Sequence, residues 1–286
     1  MSSSFSLLQK DERVWRLAHG RTLTLGPRAV IMGILNVTPD SFSDGGQFAT
    51  VEHALRQAER MEAEGAAIVD IGGESTRPGA TPVSAAQEQD RVLPVIEALA
   101  RSGGVLLSVD TYRAETARLA VEAGAHIVND VWGLHKDGAL AEVAASTGAG
   151  LVIMHTGRER EKLVDPIEDQ FTFLNHSLKI AAKTGISDDR ITLDPGFGFA
   201  KNADENIDLI AYFFRLHELG YPLLVGTSRK RFLGEITGRE PLDRDVGTAA
   251  TSVALRLAGA AIFRVHDVAV NADALKVADA ILGRQT

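Results

Sequence analysis

The chain has 286 residues, 45% hydrophobic and 24% charged, which excludes disordered, collagenous and coiled-coil classes and supplies apolar material for a sizeable core. Thirty Lys and Arg against 38 Asp and Glu give a formal charge of −8, so binding to nucleic acid through overall positive charge is excluded and any anion must be held by a local basic cluster. With no cysteine, disulfides, thiol nucleophiles and thiolate-held zinc are excluded too.

Residues 1–13 read as a flexible N-terminal segment, Ser-rich and without the basic and long apolar regions of a secretory signal, so a cytoplasmic location is expected. No Pro/Gly/Ser-rich linker interrupts 14–286, and a single domain is expected there. Residues 14–25 read as a hairpin around His19-Gly20, placed to plug the lower end of that domain. Short apolar runs then recur at 30–35, 67–71, 105–109, 126–128, 151–154, 191–193, 223–225 and 261–265. Apolar runs without alternation are the mark of strands buried on both faces. All are far shorter than the ~20 residues of a membrane-spanning helix.

Segments of helical period lie between them. In 51–64, Val51, Ala54, Leu55, Ala58 and Met61 form one stripe, and Glu52 and Arg56 stand four apart on the other face. Helix starts are marked by Ser84 with Gln87, by Asp165-Pro166 with Glu168, and by Asn202 with Glu205, all in the pattern of capping boxes. About eight βα units predict an α/β fold of the (β/α)₈ barrel kind. An open doubly wound sheet is the alternative, but neither GxGxxG nor a Walker A turn follows the first strand.

In a barrel the site forms at the carboxyl ends of the strands. Those positions offer Asn36, Asp70, Asp110, Asn129, His155, Asp194, Ser228-Arg229-Lys230, Arg264 and His266. Folding alone does not require ionisable groups at nearly every strand end, since a buried charge costs several kcal/mol unless paired. Asp110, Asn129 and Asp194 suit a flat heterocycle with adjacent N–H groups, such as a 2-amino-4-oxo-pyrimidine edge. Lys230, Arg264, His266 and Arg77 suit an anion. Asn36 is a neutral oxygen ligand able to share Mg²⁺ with diphosphate oxygens. Residues 36–46 and 72–79 form long Gly/Pro/Ser-rich loops carrying Phe42 and Arg77, and read as lids.

These loops, with Ser108-Val109-Asp110-Thr111, Asn129-Asp130, the run from Leu193-Asp194-Pro195-Gly196 to Phe199, Ser228-Arg229-Lys230 and Arg264-Val265-His266, resemble the dihydropteroate synthase family. The resemblance runs from about Val30 to the C-terminus. It implies a homodimeric barrel, with no nucleic-acid or membrane partner. The implied reaction joins 6-hydroxymethyl-7,8-dihydropterin pyrophosphate to 4-aminobenzoate and releases pyrophosphate. It further implies that Asp110, Asn129, Asp194 and Lys230 hold the pterin, and that Asn36, Arg264 and His266 hold pyrophosphate and Mg²⁺. Thr76, Arg77, Pro78, Phe42 and Ser228 would form the lid and the aminobenzoate pocket, where sulfonamides block the family, and Phe199 joins the substrate set. Lys230, Arg264, His266 and Arg77 are the expected catalytic groups. The chain departs from the resemblance after Met154-His155, where Thr156-Gly157-Arg158-Glu159-Arg160-Glu161 replaces the usual loop. The competing expectations are a corrinoid-linked methyltransferase on the same barrel and a non-catalytic pterin-binding paralogue.

Overall fold

The structure is a computed structural model that describes residues 12–38, 47–74 and 82–284. β1 (Arg13–Arg16) and β2 (Thr22–Leu25) form an antiparallel hairpin, with Arg13 opposite Leu25, around a 3₁₀ turn at Ala18–Gly20. The eight apolar runs become eight parallel strands among the described residues: β3 (Val30–Asn36), β4 (Ile68–Gly72), β5 (Leu106–Asp110), β6 (Ile127–Asp130), β7 (Gly150–Met154), β8 (Ile191–Asp194), β9 (Leu224–Val225) and β10 (Ile262–Val265). Their order around the sheet is β8-β7-β6-β5-β4-β3-β10-β9. Leu193 pairs with Leu223 and donates its N–H to the Pro222 carbonyl at 3.0 Å, which brings the two edges together and closes the ring.

The helices between the strands are α1 (Gln47–Glu64), α2 (Ala85–Ser102), α3 (Ala114–Glu122), α4 (Leu140–Thr147), α5 (Pro166–Lys183), α6 (Ala203–Ala211), α7 (Arg231–Thr237), α8 (Asp245–Leu257) and α9 (Val268–Leu282). The expected (β/α)₈ barrel is what the chain forms. Ser84 with Gln87 and Asn202 with Glu205 make reciprocal capping boxes. Asp165 caps one-sidedly: it accepts from the Ile167 and Glu168 N–H groups, while the Glu168 carboxylate turns away to Arg215 at 2.8 Å. With Pro at the first helical position and an Asp cap, the helix start is satisfied without a reciprocal bond.

The strand period of two divides each apolar run between two cores. Met32, Ile68, Leu106, Ile127, Val152, Leu224 and Ile262 form an inner cluster with Trp15, Leu17 and Leu25 of the hairpin. Their neighbours Ile31, Val69, Leu107, Val128, Leu151 and Phe263 face outward into the helix layer. The hairpin is therefore the floor of the barrel. Trp15 is 1% exposed, and its indole N–H donates to the Arg190 carbonyl at 2.8 Å. Gly150 at the foot of β7 is required here, because a Cβ would run into the Leu17 side chain and stand 3.2 Å from the Trp15 ring. Trp15→Ala is expected to cost about 3–5 kcal/mol of stability, the usual loss for a large buried aromatic. Urea unfolding measures it, and a loss under about 1 kcal/mol would show that the floor bears no load.

Candidate active site

At the opposite end, the register sets Asn36 beside Gly72, Gly72 beside Asp110 and Asp110 beside Asn129, so four neighbouring strands bring one row of residues to the rim. Alternation turns Asp70, Ser108 and Asn129 inward one step above Ile68, Leu106 and Ile127. On β10 the same rule buries Phe263 and Val265 outside and sends Arg264 in. Arg264 donates through Nε to Asp70 Oδ2 at 2.6 Å and through Nη2 to Asp110 Oδ2 at 2.7 Å. Asn129 Nδ2 donates to the same Asp70 oxygen at 3.0 Å. Residues on four strands thus meet in one hydrogen-bonded group.

β8 and the following loop supply the next part. Asp194 Oδ1 accepts the Gly196 N–H at 2.7 Å. Two glycines of this loop have positive φ and no room for a side chain. A Cβ at Gly196 would collide with the His155 carbonyl, and one at Gly198 would come within 2.9 Å of Lys230 Cδ. That close approach lets Lys230 lie across the loop with Nζ 4.0 Å from the centre of the Phe199 ring. Phe199 belongs to a small apolar wall with Val131, Met154 and Trp132. Arg158, from the divergent loop after β7, places its guanidinium 4.7 Å from the Phe199 ring centre and 6.0 Å from that of Trp132. The loop that departs from the resemblance thus sends a cation to the rim.

Beyond β9, Arg229 adopts a left-handed conformation, φ 57°, and its guanidinium grips Asp245 at 2.8 and 2.7 Å. Arg229 is thereby committed to α8. Ser228 Oγ accepts the His266 backbone N–H at 3.1 Å and lies 2.9 Å from His266 Nδ1. Oγ has a second acceptor site as well as its own proton, so this contact holds the imidazole ring in place in either tautomer.

The enclosed charges perturb one another. Burial pushes the Asp194 carboxyl up to about 6, against the Gly196 N–H and Lys230, which favour the ion. Burial likewise raises Asp110 to about 7; Arg264 opposes the rise and Asp70 adds to it. Burial, reinforced by Arg264, lowers Lys230 to about 8. For Arg264 itself burial favours the neutral form, but Asp70 and Asp110 outweigh it and hold the guanidinium above its ordinary value.

Of the residues expected at the mouth, Asp70, Asp110, Asn129, Asp194, Lys230 and Arg264 meet there, and Ser228 is joined to His266. Asn36 ends β3, its Oδ1 near Gly72 and Asp110: a Cβ on Gly72 would be 3.8 Å from the one and 3.7 Å from the Asp110 Oδ2 atom. His155 goes elsewhere. Its buried ring lies against Phe173 of α5, with Nε2 2.9 Å from Asp169 Oδ2, while Lys201 Nζ donates to Nδ1 at 2.9 Å. Lys201 also donates to the Gly196 carbonyl at 2.8 Å, so this network supports the Asp194 loop from behind. The sequence reading gave no role to Lys201 or Arg158; the one was marked only by its nearness to the Asp194–Phe199 motif, the other only by lying in the divergent loop. Phe42, Thr76, Arg77 and Pro78 lie outside the described residues. A separate open cavity of about 470 Å³ lies beside the hairpin, where Arg13 donates to the Gly220 carbonyl and Tyr221 to Asp188 at 2.7 Å. It holds none of the rim groups.

Residues 32–266 match the family model described as pterin binding enzyme. A dihydropteroate synthase of Streptococcus pyogenes is 47% identical over 251 residues, 87% of this chain and 94% of that protein. The dihydropteroate synthase of Xanthomonas albilineans, solved with 4-aminobenzoic acid, superposes with a TM-score of 0.88 at 45% identity, covering 94% of this chain and 98% of that one. In complex with 7,8-dihydropteroate it gives 0.85 at 42% identity, over 93% and 98%. The chain belongs to the pterin-binding enzymes. Among them its family is that of the dihydropteroate synthases, transferases of folate biosynthesis.

The kcat/KM of the synthase reaction is expected to be bell-shaped. The acid limb follows protonation of Asp194 and Asp110, which then no longer accept as carboxylates; the alkaline limb, near 8, follows loss of the Lys230 charge. Lys230→Arg, which stays charged, should remove the alkaline limb from an initial-rate pH profile. Its persistence would take Lys230 out of that role.

Proposed function

We propose that this cleft joins 6-hydroxymethyl-7,8-dihydropterin pyrophosphate to 4-aminobenzoate, with the two halves of the substrate held by the two kinds of group brought together at the rim. The observation that carries the reading is the bridge of Arg264 to Asp70 and Asp110, which sets a cation for the leaving group directly beside acceptors for the ring. Asp110, Asn129 and Asp194 accept from the N–H edge of the pterin, and Lys230 and Phe199 cover its rim. Arg264 and His266 receive the diphosphate.

The C–O bond to the CH₂ group breaks with its electron pair leaving on pyrophosphate, and the arylamine nitrogen forms the new C–N bond and then sheds one proton. Departure ahead of attack is favoured because the electron-rich dihydropterin supports positive charge at the CH₂ group. The buried carboxylates around the ring stabilise that charge. A neutral arylamine needs no strong base, and none is assigned.

Asn36 is the proposed Mg²⁺ ligand. No cluster of three or more His, Asp or Glu suited to a metal occurs among the described residues, and the one neutral oxygen of Asn36, close to Gly72, fits an ion that takes few protein ligands. Held there, Mg²⁺ would supply charge neutralisation for the leaving group. The aminobenzoate, or a sulfonamide in its place, is assigned to the outer part of the cleft near Ser228 and the start of α7, where no side chain caps the helix. The same proposal keeps the reaction in the cytoplasm and adds no nucleic-acid or membrane partner.

The purified chain, given the pterin pyrophosphate and 4-aminobenzoate, should form 7,8-dihydropteroate and require Mg²⁺. Arg264→Lys keeps a charge but loses the planar fork, and should lower kcat/KM about tenfold or more. No product from the wild type would end the proposal, and unchanged kinetics in the variant would remove Arg264 from it.

A homodimer belongs to the same reading. Ile236 on α7, Leu242 in the turn before α8 and Val246 on α8 are exposed, the last two at 75% and 79%, as an apolar contact surface would require. Light scattering should give twice the chain mass, and Val246→Asp should shift it toward the monomer; a monomeric wild type would refute this part.

A further inference from the structure

Asp70 is an acid of the rim to which no part of the reaction has been given, and it is wholly buried, 0% exposed. Its Oδ2 accepts from Arg264 Nε at 2.6 Å and from Asn129 Nδ2 at 3.0 Å, residues that lie 194 and 59 positions away. Its Oδ1 makes no hydrogen bond among the described residues.

These two bonds constrain more than position. An amide has one donor end and one acceptor end, and a flipped Asn129 would set its oxygen against the Asp70 carboxylate at about the same distance. Asp70 therefore decides which end of Asn129 is oxygen. The guanidinium is constrained in the same way: with Nε held by Asp70 and Nη2 by Asp110, its Nε–Nη2 edge faces the acids, and the Nη1 side is turned to whatever else enters.

We infer that Asp70 is a positioning residue that sets both the donor–acceptor sense of Asn129 and the edge of Arg264 offered to the leaving group, without touching either substrate. The inference rests on the functional reading above. A single carboxylate oxygen then couples the recognition of the ring to the handling of its diphosphate. A carboxylate is required because a neutral amide at 70 can present either end to Asn129 and forfeits the charge-assisted bond to Arg264.

Two double-mutant cycles test this. Calorimetry with 6-hydroxymethylpterin, which carries no diphosphate, reads the Asn129 arm, and kcat of the full reaction reads the Arg264 arm. Asp70→Asn should weaken pterin binding about tenfold in the wild-type background and less than about twofold in Asn129→Ala. It should lower kcat about tenfold alone and less than about twofold in Arg264→Lys, with the KM for 4-aminobenzoate unmoved. A merely structural Asp70 would instead give losses that add in both cycles, or full activity in Asp70→Asn, and either result overturns the inference. Thermal unfolding is followed alongside, and if Asp70→Asn does not fold, Asp70→Ser is read through the same cycles. Wild-type product formation is the control: its absence overturns the functional reading, whereas active wild type with an indifferent Asp70→Asn overturns this inference alone.

Discussion

Arg264 lies between Asp70 and Asp110 and donates to one carboxylate oxygen of each, above an inner layer built mainly of apolar side chains. Each of these charges alone would cost several kcal/mol to bury, and together they are tolerable only because the geometry lets each satisfy another. The chemistry of the rim follows from this contact. It draws β4, β5 and β10 into one electrostatic unit, opposes the upward drift of Asp110, and adds to the repulsion that lowers Lys230. On the reading proposed above, the groups for the ring and for the anion need no separate pockets, because Arg264 and the two acids neutralise one another.

Much of the architecture could be read before any coordinates, because its signals are local. The eight apolar runs fall on eight strands with ends displaced by one or two residues, and Ser84 and Asn202 cap as their spacing demands. The direction of the polar residue at each strand end follows from the period of two, which sends Asp70, Asn129 and Arg264 inward. The same period explains His155: Met154 joins the inner wall, so its successor turns out toward α5 and Asp169. What could not be read is non-local. The partners of Asp70 lie far along the chain, Arg158 meets Phe199 only because two loops converge, and the left-handed turn that diverts Arg229 to Asp245 has no glycine to announce it. Resemblance gathered the site residues into one set; the bonds among them are a product of the fold.

Stability and chemistry occupy opposite ends of the same strands. The lower ends carry Met32, Ile68, Leu106 and Ile262 against Trp15, an apolar cluster with few polar demands. The upper ends carry buried acids and bases whose ionisation is shifted by several neighbours at once. Such groups favour function over stability, and the lower cluster offsets what they cost.

Because Trp15 stops the barrel from beneath, the groups at the strand ends are closed off from that side. If the substrates take the places proposed above, the one seated deeper arrives first and departs last, and one lodged nearer the mouth locks in the occupant below rather than evicting it. With the contacts assigned to the rim, the bicyclic headgroup is the deep guest and the aromatic acid the stopper. Turnover then becomes a matter of traffic through one doorway, with the finished molecule obliged to clear the passage before the next round begins.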